Sequence, residues 1–343
     1  MRTKILNARL KKNIHFAAEL IRRGELVAFP TETVYGLGAN ATDEQAVAKI
    51  FLAKNRPASD PLIVHVCSVD MLNSVVISIP FLARKLMDRF WPGPLTLVML
   101  KKDCIPENVT AGLTTVAVRM PANDIALGLI REAGLPVAAP SANSFGRTSP
   151  TCAEHVMEDL GGRIPLILDG GQTQIGIEST VLDLTVDKPV LLRPGGISLE
   201  SLGAVVGEII VGGEKDKHLK SPGLMRRHYS PKAKLLLFSG KNLEKIIITM
   251  KEYIEKLGKH GVIGLMLPNE VAVYFKGFKV VIACMGSFAN MEKVANNLFA
   301  IMRNLDRCKV DYIFAMAPPR EGIGLAVFDR LLKAAGSKII EVS

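Results

Sequence analysis

The sequence predicts an α/β protein in two parts: a larger domain around one twisted mixed sheet with interspersed helices, then a small doubly wound α/β domain. Three observations carry this expectation. Strand-like and helix-like hydrophobic patterns interleave through both halves of the chain. A polar, turn-rich stretch at 212–232 separates the halves. The 343 residues, 48% of them hydrophobic, are enough to bury two cores. The expected divisions are therefore 1–211, a linker at 212–232, and 233–343.

In the first domain Asn13 is placed to cap a helix that turns Ile14, Ala17, Ala18 and Ile21 to one side and stops at Gly24. Residues 26–29 form a short buried strand. Thr42 or Asp43 caps the next helix, whose apolar residues are Ala46, Val47, Ile50 and Phe51. Lys54 and Arg56 come in its last turn, and Pro57 enforces the stop. Strand-like runs follow at 62–66, 95–100, 114–120, 136–139, 166–168, 180–184 and 190–192. The linker, GGEKDKHLKSPGLMRRHYSPK, combines two glycines, a charge run and the turn dipeptides Pro222-Gly223 and Ser230-Pro231.

Beyond it come a strand at 235–238, a helix at 243–257, a strand at 262–266 and a 271–284 region with strand character. A helix at 291–305, a strand at 312–316, a helix at 325–335 and a strand at 339–342 complete the pattern. The stripe Met291, Val294, Leu298, Ile301, Met302 and Leu305 has helical spacing. Gly322-Ile-Gly324 is a tight strand-to-helix turn and only a partial phosphate-binding glycine motif.

Composition excludes several classes. No apolar stretch is long enough to span a membrane as a helix, and the basic N-terminus has no signal-peptide core. The five cysteines are odd in number and form no Cys-x-x-Cys pair, which points to a reducing cytoplasm rather than to disulfides or structural zinc. The formal net charge of +10 is uneven. Residues 1–213 carry 21 Lys+Arg and 21 Asp+Glu, residues 214–234 carry 7 against 2, and residues 235–343 carry 15 against 10. Either a basic soluble surface or attraction of a polyanion fits this pattern.

The chemistry concentrates in Pro30-Thr-Glu-Thr-Val-Tyr-Gly-Leu-Gly-Ala39, Lys54-x-Arg56-Pro57 and Pro61-Leu-Ile-Val-His65-Val66. A buried strand running into a loop of hydroxyls, a carboxylate and two glycines presents polar groups to a small ligand. Taken alone, Lys54 and Arg56 are two solvated cations at a helix C-terminus. The run APSANSFGRTSP around Ser141-Ala-Asn143 brings small residues and hydroxyls directly after a strand. In TTVAVRM, Thr115, Ala117 and Arg119 share one face by strand periodicity, either a pocket wall or an exposed edge. Alone, His65 is a satisfied core histidine and Arg193 a surface arginine before a turn.

Lys54-x-Arg56, Ser141-x-Asn143 and PTETVYGLG, in this order, closely resemble the signature of the YrdC family over residues 16–211. The linker SPGLMRRHYSP and the ending REGIGLAVFDRLLKAA resemble the two-domain Sua type. The resemblance implies a YrdC-like sheet domain joined to a small Rossmann-like domain. It implies synthesis of L-threonylcarbamoyl-adenylate from L-threonine, bicarbonate and ATP, a nucleotidyl transfer that needs Mg²⁺ with the ATP and releases pyrophosphate. A separate Kae/TsaD-like threonylcarbamoyl-transferase complex would then modify tRNA beside the anticodon, with weak RNA contact by this chain and no membrane.

Carried over by position, the threonine site falls on Thr33, His65, Arg119, Ala139 and Ser179. The ATP site falls on Lys54, Arg56, Asp60, Thr115, Ser141, Asn143, Ser149 and Arg193, with Tyr229 supplied by the linker acting as a lid. Lys54, Arg56, Ser141 and Asn143 would be the catalytic set, and Glu32 and Glu178 are candidate magnesium ligands. Two positions depart from the pattern: Asp60 stands where the family often has Asn, and Met225-Arg226-Arg227 where it often has an aromatic residue or Lys. The same domain serves hydrogenase maturation, but there with Cys-x-x-Cys pairs that this chain lacks. A non-catalytic RNA-binding factor is the other alternative, and the neutral charge of residues 1–213 argues against it.

Overall fold

The computed structural model describes residues 2–212 and 228–342. These residues divide into two compact units. One runs to Phe145 and resumes at Ser149, and the other combines Gly146–Thr148 with the residues from 228 onward. The linker expected at 212–232, with Ser221, Pro222, Gly223, Met225, Arg226 and Arg227, lies largely outside the described residues.

The first unit is built on eleven strands: β1 (Lys4–Asn7), β2 (Val27–Phe29), β3 (Gly36–Asn40), β4 (Ile63–His65), β5 (Leu95–Leu100), β6 (Thr115–Arg119), β7 (Val137–Ala138), β8 (Leu166–Asp169), β9 (Thr180–Asp183), β10 (Val190–Arg193) and β11 (Ile210–Val211). Their order is β1-β8-β2-β3-β7-β4-β6-β5-β9-β10-β11, with parallel and antiparallel pairs mixed. On one face α1 (Lys11–Arg22) and the helix Asp124–Ala133 cover Ala17, Ile21, Phe29, Leu129 and Leu166. A larger apolar cluster, with Val47, Ile50, Leu86, Leu97 and Val118, lies under α2 (Glu44–Lys54) and Phe81–Phe90.

At the middle strands β4 and β6 run parallel, with Ile63 opposite Ala117 and His65 opposite Arg119. Ile63, Val98, Ala117, Val181 and Leu192 form a small separate cluster on one face of this region. Thr115 and Arg119 bracket Ala117 on the same strand face. Because β6 lies between β4 and β5, the exposed-edge alternative for this strand is ruled out.

Several boundaries differ from the sequence expectation for identifiable reasons. Asn13 does not cap α1, which starts two residues earlier behind Leu10. Asn7 has already turned the chain by accepting from Arg9 N at 2.9 Å, and Asn13 donates back to the Asn7 carbonyl at 2.8 Å. Asp43, not Thr42, caps α2 by accepting from Gln45 N and Ala46 N. The stop comes from Asn55 in the left-handed region (φ 53°) rather than from Pro57. β3 occupies glycines expected in a loop. A Cβ on Gly38 would sit 2.7 Å from the Phe29 ring and 2.8 Å from Val137, so this strand exists only without a side chain there.

The second unit is a five-stranded, all-parallel sheet. Its strands are β12 (Lys234–Gly240), β13 (Ile263–Leu267), β14 (Val281–Cys284), β15 (Tyr312–Met316) and β16 (Ile339–Val342), in the order β14-β13-β15-β12-β16. Helices Leu243–Leu257, Met291–Arg307 and Gly324–Ala334 complete the doubly wound pattern. Only the end of the 271–284 region is a strand. It begins with the helix Asn269–Ala272 and a 3₁₀ turn at Val273–Phe275. Val271 and Phe275, four residues apart, are both buried, which is helical spacing in a β-branched and aromatic composition.

Candidate active site

Residues 30–35 are the turn of the β2–β3 hairpin, and hydrogen bonds hold the turn rigid. The Thr31 hydroxyl donates to the Val34 carbonyl at 2.7 Å and accepts from the Thr33 and Val34 amides. From outside the turn, Ile175 N donates to the Glu32 carbonyl at 2.8 Å and Gly176 N to the Thr33 carbonyl at 3.0 Å. Glu32 and Thr33 are therefore presented by fixed backbone.

Arg119, at the end of β6, reaches this turn. It donates from Nη1 to Thr33 Oγ1 at 2.9 Å and from Nε to the Gly93 carbonyl at 3.2 Å. Its Nη2 lies 2.6 Å from Glu32 Oε2, and both residues are buried. His65, beside Arg119 on β4, meets the Phe29 ring edge-on, and its Nδ1 has no hydrogen-bond partner. Burial first, then the Arg119 charge, push its pKa down to about 3. It is a neutral imidazole with an idle nitrogen, not a satisfied core histidine.

Ala139 N donates to the Ile63 carbonyl, which sets Ala139 beside the same strand. Ser179 stands just before β9, its hydroxyl 2.7 Å from Thr96 Oγ1. Arg193 is buried, not on the surface, and donates from Nη2 to the Ser179 carbonyl and hydroxyl at 3.0 and 3.2 Å. A Cβ on Gly195 would meet Ser179 and Glu178 backbone atoms within 2.4 Å, so glycine alone lets the two segments touch.

The second group gathers before β4. Lys54 and Arg56 are buried, which overturns their reading as solvated cations. The Lys54 ammonium donates to the carbonyls of Ser141 and Asn143, the latter at 2.6 Å, and the Lys54 carbonyl accepts from Phe145 N. The Lys-x-Arg and Ser-x-Asn motifs, 87 residues apart, are thus one structure. Burial, then the neighbouring Arg56, hold Lys54 well below the usual ammonium range. Arg56 donates to the Asp60 and Pro61 carbonyls and pairs with the Asp60 carboxylate at 2.9 Å. Asp60 is pushed up by burial and pulled down by Arg56, Lys54 and Arg193 in turn. Burial is the larger effect and leaves Asp60 above the usual carboxylate range, even with the Arg56 guanidinium at 2.9 Å.

Ser141 also bridges Gly36 of β3, while Ser149 Oγ donates to Glu178. Thr115 is buried at the start of β6, about 13 Å from Arg119 at its end at the usual rise per residue. Thr115 and Arg119 thus mark opposite ends of one strand face with Ala117 between, and Arg193, on Ser179, also acts on Asp60. Tyr229 belongs to the second unit, where its ring packs 5.6 Å from Phe299 and Arg330 lies 5.1 Å over it.

Sequence reasoning missed the Glu32–Arg119 pair and the Gly93 carbonyl, because both contacts join residues remote in sequence. Glu32, already in the PTET run, was the available signal. Among the described residues no group of three or more His, Cys, Asp or Glu is spaced to hold a metal ion. Glu32 is engaged with Arg119 and Glu178 accepts from Ser149.

Two family models account for nearly the whole chain. That of the Sua5–YciO–YrdC family, described as telomere recombination, matches residues 19–195. A second, described as threonylcarbamoyl-AMP synthase, C-terminal domain, matches residues 197–336. A threonylcarbamoyl-AMP synthase of Pyrococcus abyssi is 49% identical over 339 residues, 96% of each chain. One of Bacillus subtilis is 50% identical over 328 residues, 94% of this chain and 93% of that one. The crystal structure of P. abyssi Sua5 complexed with L-threonine superposes with a TM-score of 0.93 at 46% identity, covering 99% of this chain and all of that one.

Proposed function

The chain belongs to the Sua5–YciO–YrdC family, and from that premise we infer that it is a threonylcarbamoyl-AMP synthase, converting L-threonine, bicarbonate and ATP to L-threonylcarbamoyl-adenylate, pyrophosphate and water. The observation that carries the reading is the Lys54 ammonium on the Ser141 and Asn143 carbonyls. It joins two remote motifs into one corner, and Thr33, His65 and Arg119 lie together at the far end of the same face.

The chemistry divides along that face. The threonine ammonium group and bicarbonate condense to a carbamate, with loss of water and a proton. A carbamate oxygen then attacks the α-phosphorus of ATP in line. The new P–O bond forms as the bond to pyrophosphate breaks, and the pyrophosphate keeps the electron pair. The nucleophile is already an anion, so this step needs no general base, and catalysis is positioning plus electrostatics.

Thr33, His65, Arg119, Ala139 and Ser179 hold the amino acid. Arg119 takes its carboxylate, a role its planar fork suits better than lysine would. Arg56, Asp60, Thr115, Ser141, Asn143, Ser149 and Arg193 hold the nucleotide. Lys54 acts through the loop it organises, to which it gives two hydrogen bonds. Magnesium would come as part of the ATP substrate and would screen the charge of its phosphates. The adenylate passes to a Kae/TsaD-like transferase that modifies tRNA, a reaction of the cytoplasm. No helix among the described residues is long and apolar enough to cross a membrane.

The test is pyrophosphate release that requires both threonine and bicarbonate. Arg56→Ala removes a charged phosphate contact worth about 2–4 kcal/mol at the transition state, so turnover should fall by about 30- to 1,000-fold. Near-normal turnover in that variant, or release by the wild type independent of threonine, would sink the assignment.

A further inference from the structure

Three side chains meeting at the Arg119 end of the face carry polar atoms that are buried without an aligned hydrogen-bond partner. They are Arg119 Nη2, both carboxylate oxygens of Glu32, and His65 Nδ1. Arg119 and Glu32 are an ion pair by distance, 2.6 Å, but the N–H does not point well at the oxygen, and Glu32 Oε1 has no hydrogen-bond partner. Glu32 is 3% exposed and Arg119 4%. A bare carboxylate oxygen at that depth is costly and normally avoided. The turn nevertheless holds it there, since the Glu32 carbonyl is fixed by Ile175 N and the flanking Thr31 and Thr33 are hydrogen-bonded to each other.

A guanidinium N–H and a carboxylate that lie side by side without an aligned hydrogen bond between them are the complement of a zwitterion. An α-amino acid carries its carboxylate and its ammonium on one carbon, about the spacing that this pair presents. We propose that Glu32 is a substrate-recognition residue whose carboxylate receives the α-amino group, while the amino acid's carboxylate takes the Arg119 N–H beside it. The inference deepens the synthase reading above and rests on it. Glu32 then holds the nitrogen that must attack the one-carbon unit, and after condensation it accepts from the carbamate N–H. It also sets specificity, because an acid without the amine leaves the buried carboxylate unpaired and facing a second anion.

The test compares binding of L-threonine and 3-hydroxybutanoate, which keeps the carboxylate and hydroxyl but lacks the amine, by calorimetry on the full-length protein. The wild type should prefer threonine by at least about 100-fold. In Glu32→Gln that preference should fall below about tenfold, with threonine weakened and 3-hydroxybutanoate not, whereas Glu32→Asp should keep part of the preference. If Glu32 merely braced Arg119, Glu32→Gln would weaken both ligands equally, and that result overturns the proposal. So does a wild type that binds the two ligands alike, an outcome that needs no variant to fold. A wild type that binds no threonine overturns this inference and the synthase reading together; one that binds threonine without discriminating overturns this inference alone.

Discussion

His65 packs against Phe29 and beside Arg119 with its Nδ1 idle, and burial holds its pKa at about 3. An unfolded histidine titrates near about 6.5. Between these values the unfolded chain binds the extra proton, so stability falls as pH drops below about 6.5 and continues to fall toward about 3. His65→Asn should remove that component. Denaturant unfolding at pH 6 and pH 4.5 should show the wild type losing more stability than the variant, by about 1.4 kcal/mol per pH unit. Equal slopes would mean that His65 is not buried as a neutral ring. At this scale the sequence supplied residue identities and the structure supplied their states. Arg193 and Lys54 carry no local mark of burial. Each is buried because remote backbone carbonyls, those of Ser179 for the one and of Ser141 and Asn143 for the other, accept its protons.

Helix α2 and the 141–145 loop behave as one element. The last helical residue, Lys54, takes two loop carbonyls through its ammonium and one loop amide through its own carbonyl. Lys54→Met would leave two carbonyls without their donor, so it should cost stability, about 2–4 kcal/mol, as well as activity. Thermal unfolding beside an ATP titration checks this: a variant of wild-type stability that has lost ATP use would return Lys54 to a direct phosphate role. Elements with one clean period were legible in the sequence. The helix Leu243–Leu257 and the strands Tyr312–Met316 and Ile339–Val342 fall where the pattern puts them. β3 did not, because two of its five residues are glycine and strand propensity is a property of side chains it lacks.

Over the whole chain the positive charge sits after residue 213, and residues 1–213 balance. RNA affinity carried by this excess would be of the screened, backbone-contacting kind. Filter binding of tRNA should weaken by about tenfold or more between 50 and 200 mM salt, since two phosphate contacts already give that slope. Threonine-dependent pyrophosphate release should persist across the same range. Salt-insensitive tRNA binding with no pyrophosphate release would favour the RNA-binding alternative.

By itself the sequence determined the two α/β patterns, the charge asymmetry and the order of the motifs, because periodicity, composition and spacing are local properties. Only the tertiary structure decided that Lys54 serves the Ser141–Asn143 loop, that Asp60 pairs with Arg56, and that Glu32 lies buried against Arg119 without an aligned hydrogen bond. Hydrogen bonds and ion pairs act over about 3 Å in space, and the partners in the first and last of these are 87 residues apart for Lys54 and Ser141, and bridged across the sheet for Glu32 and Arg119.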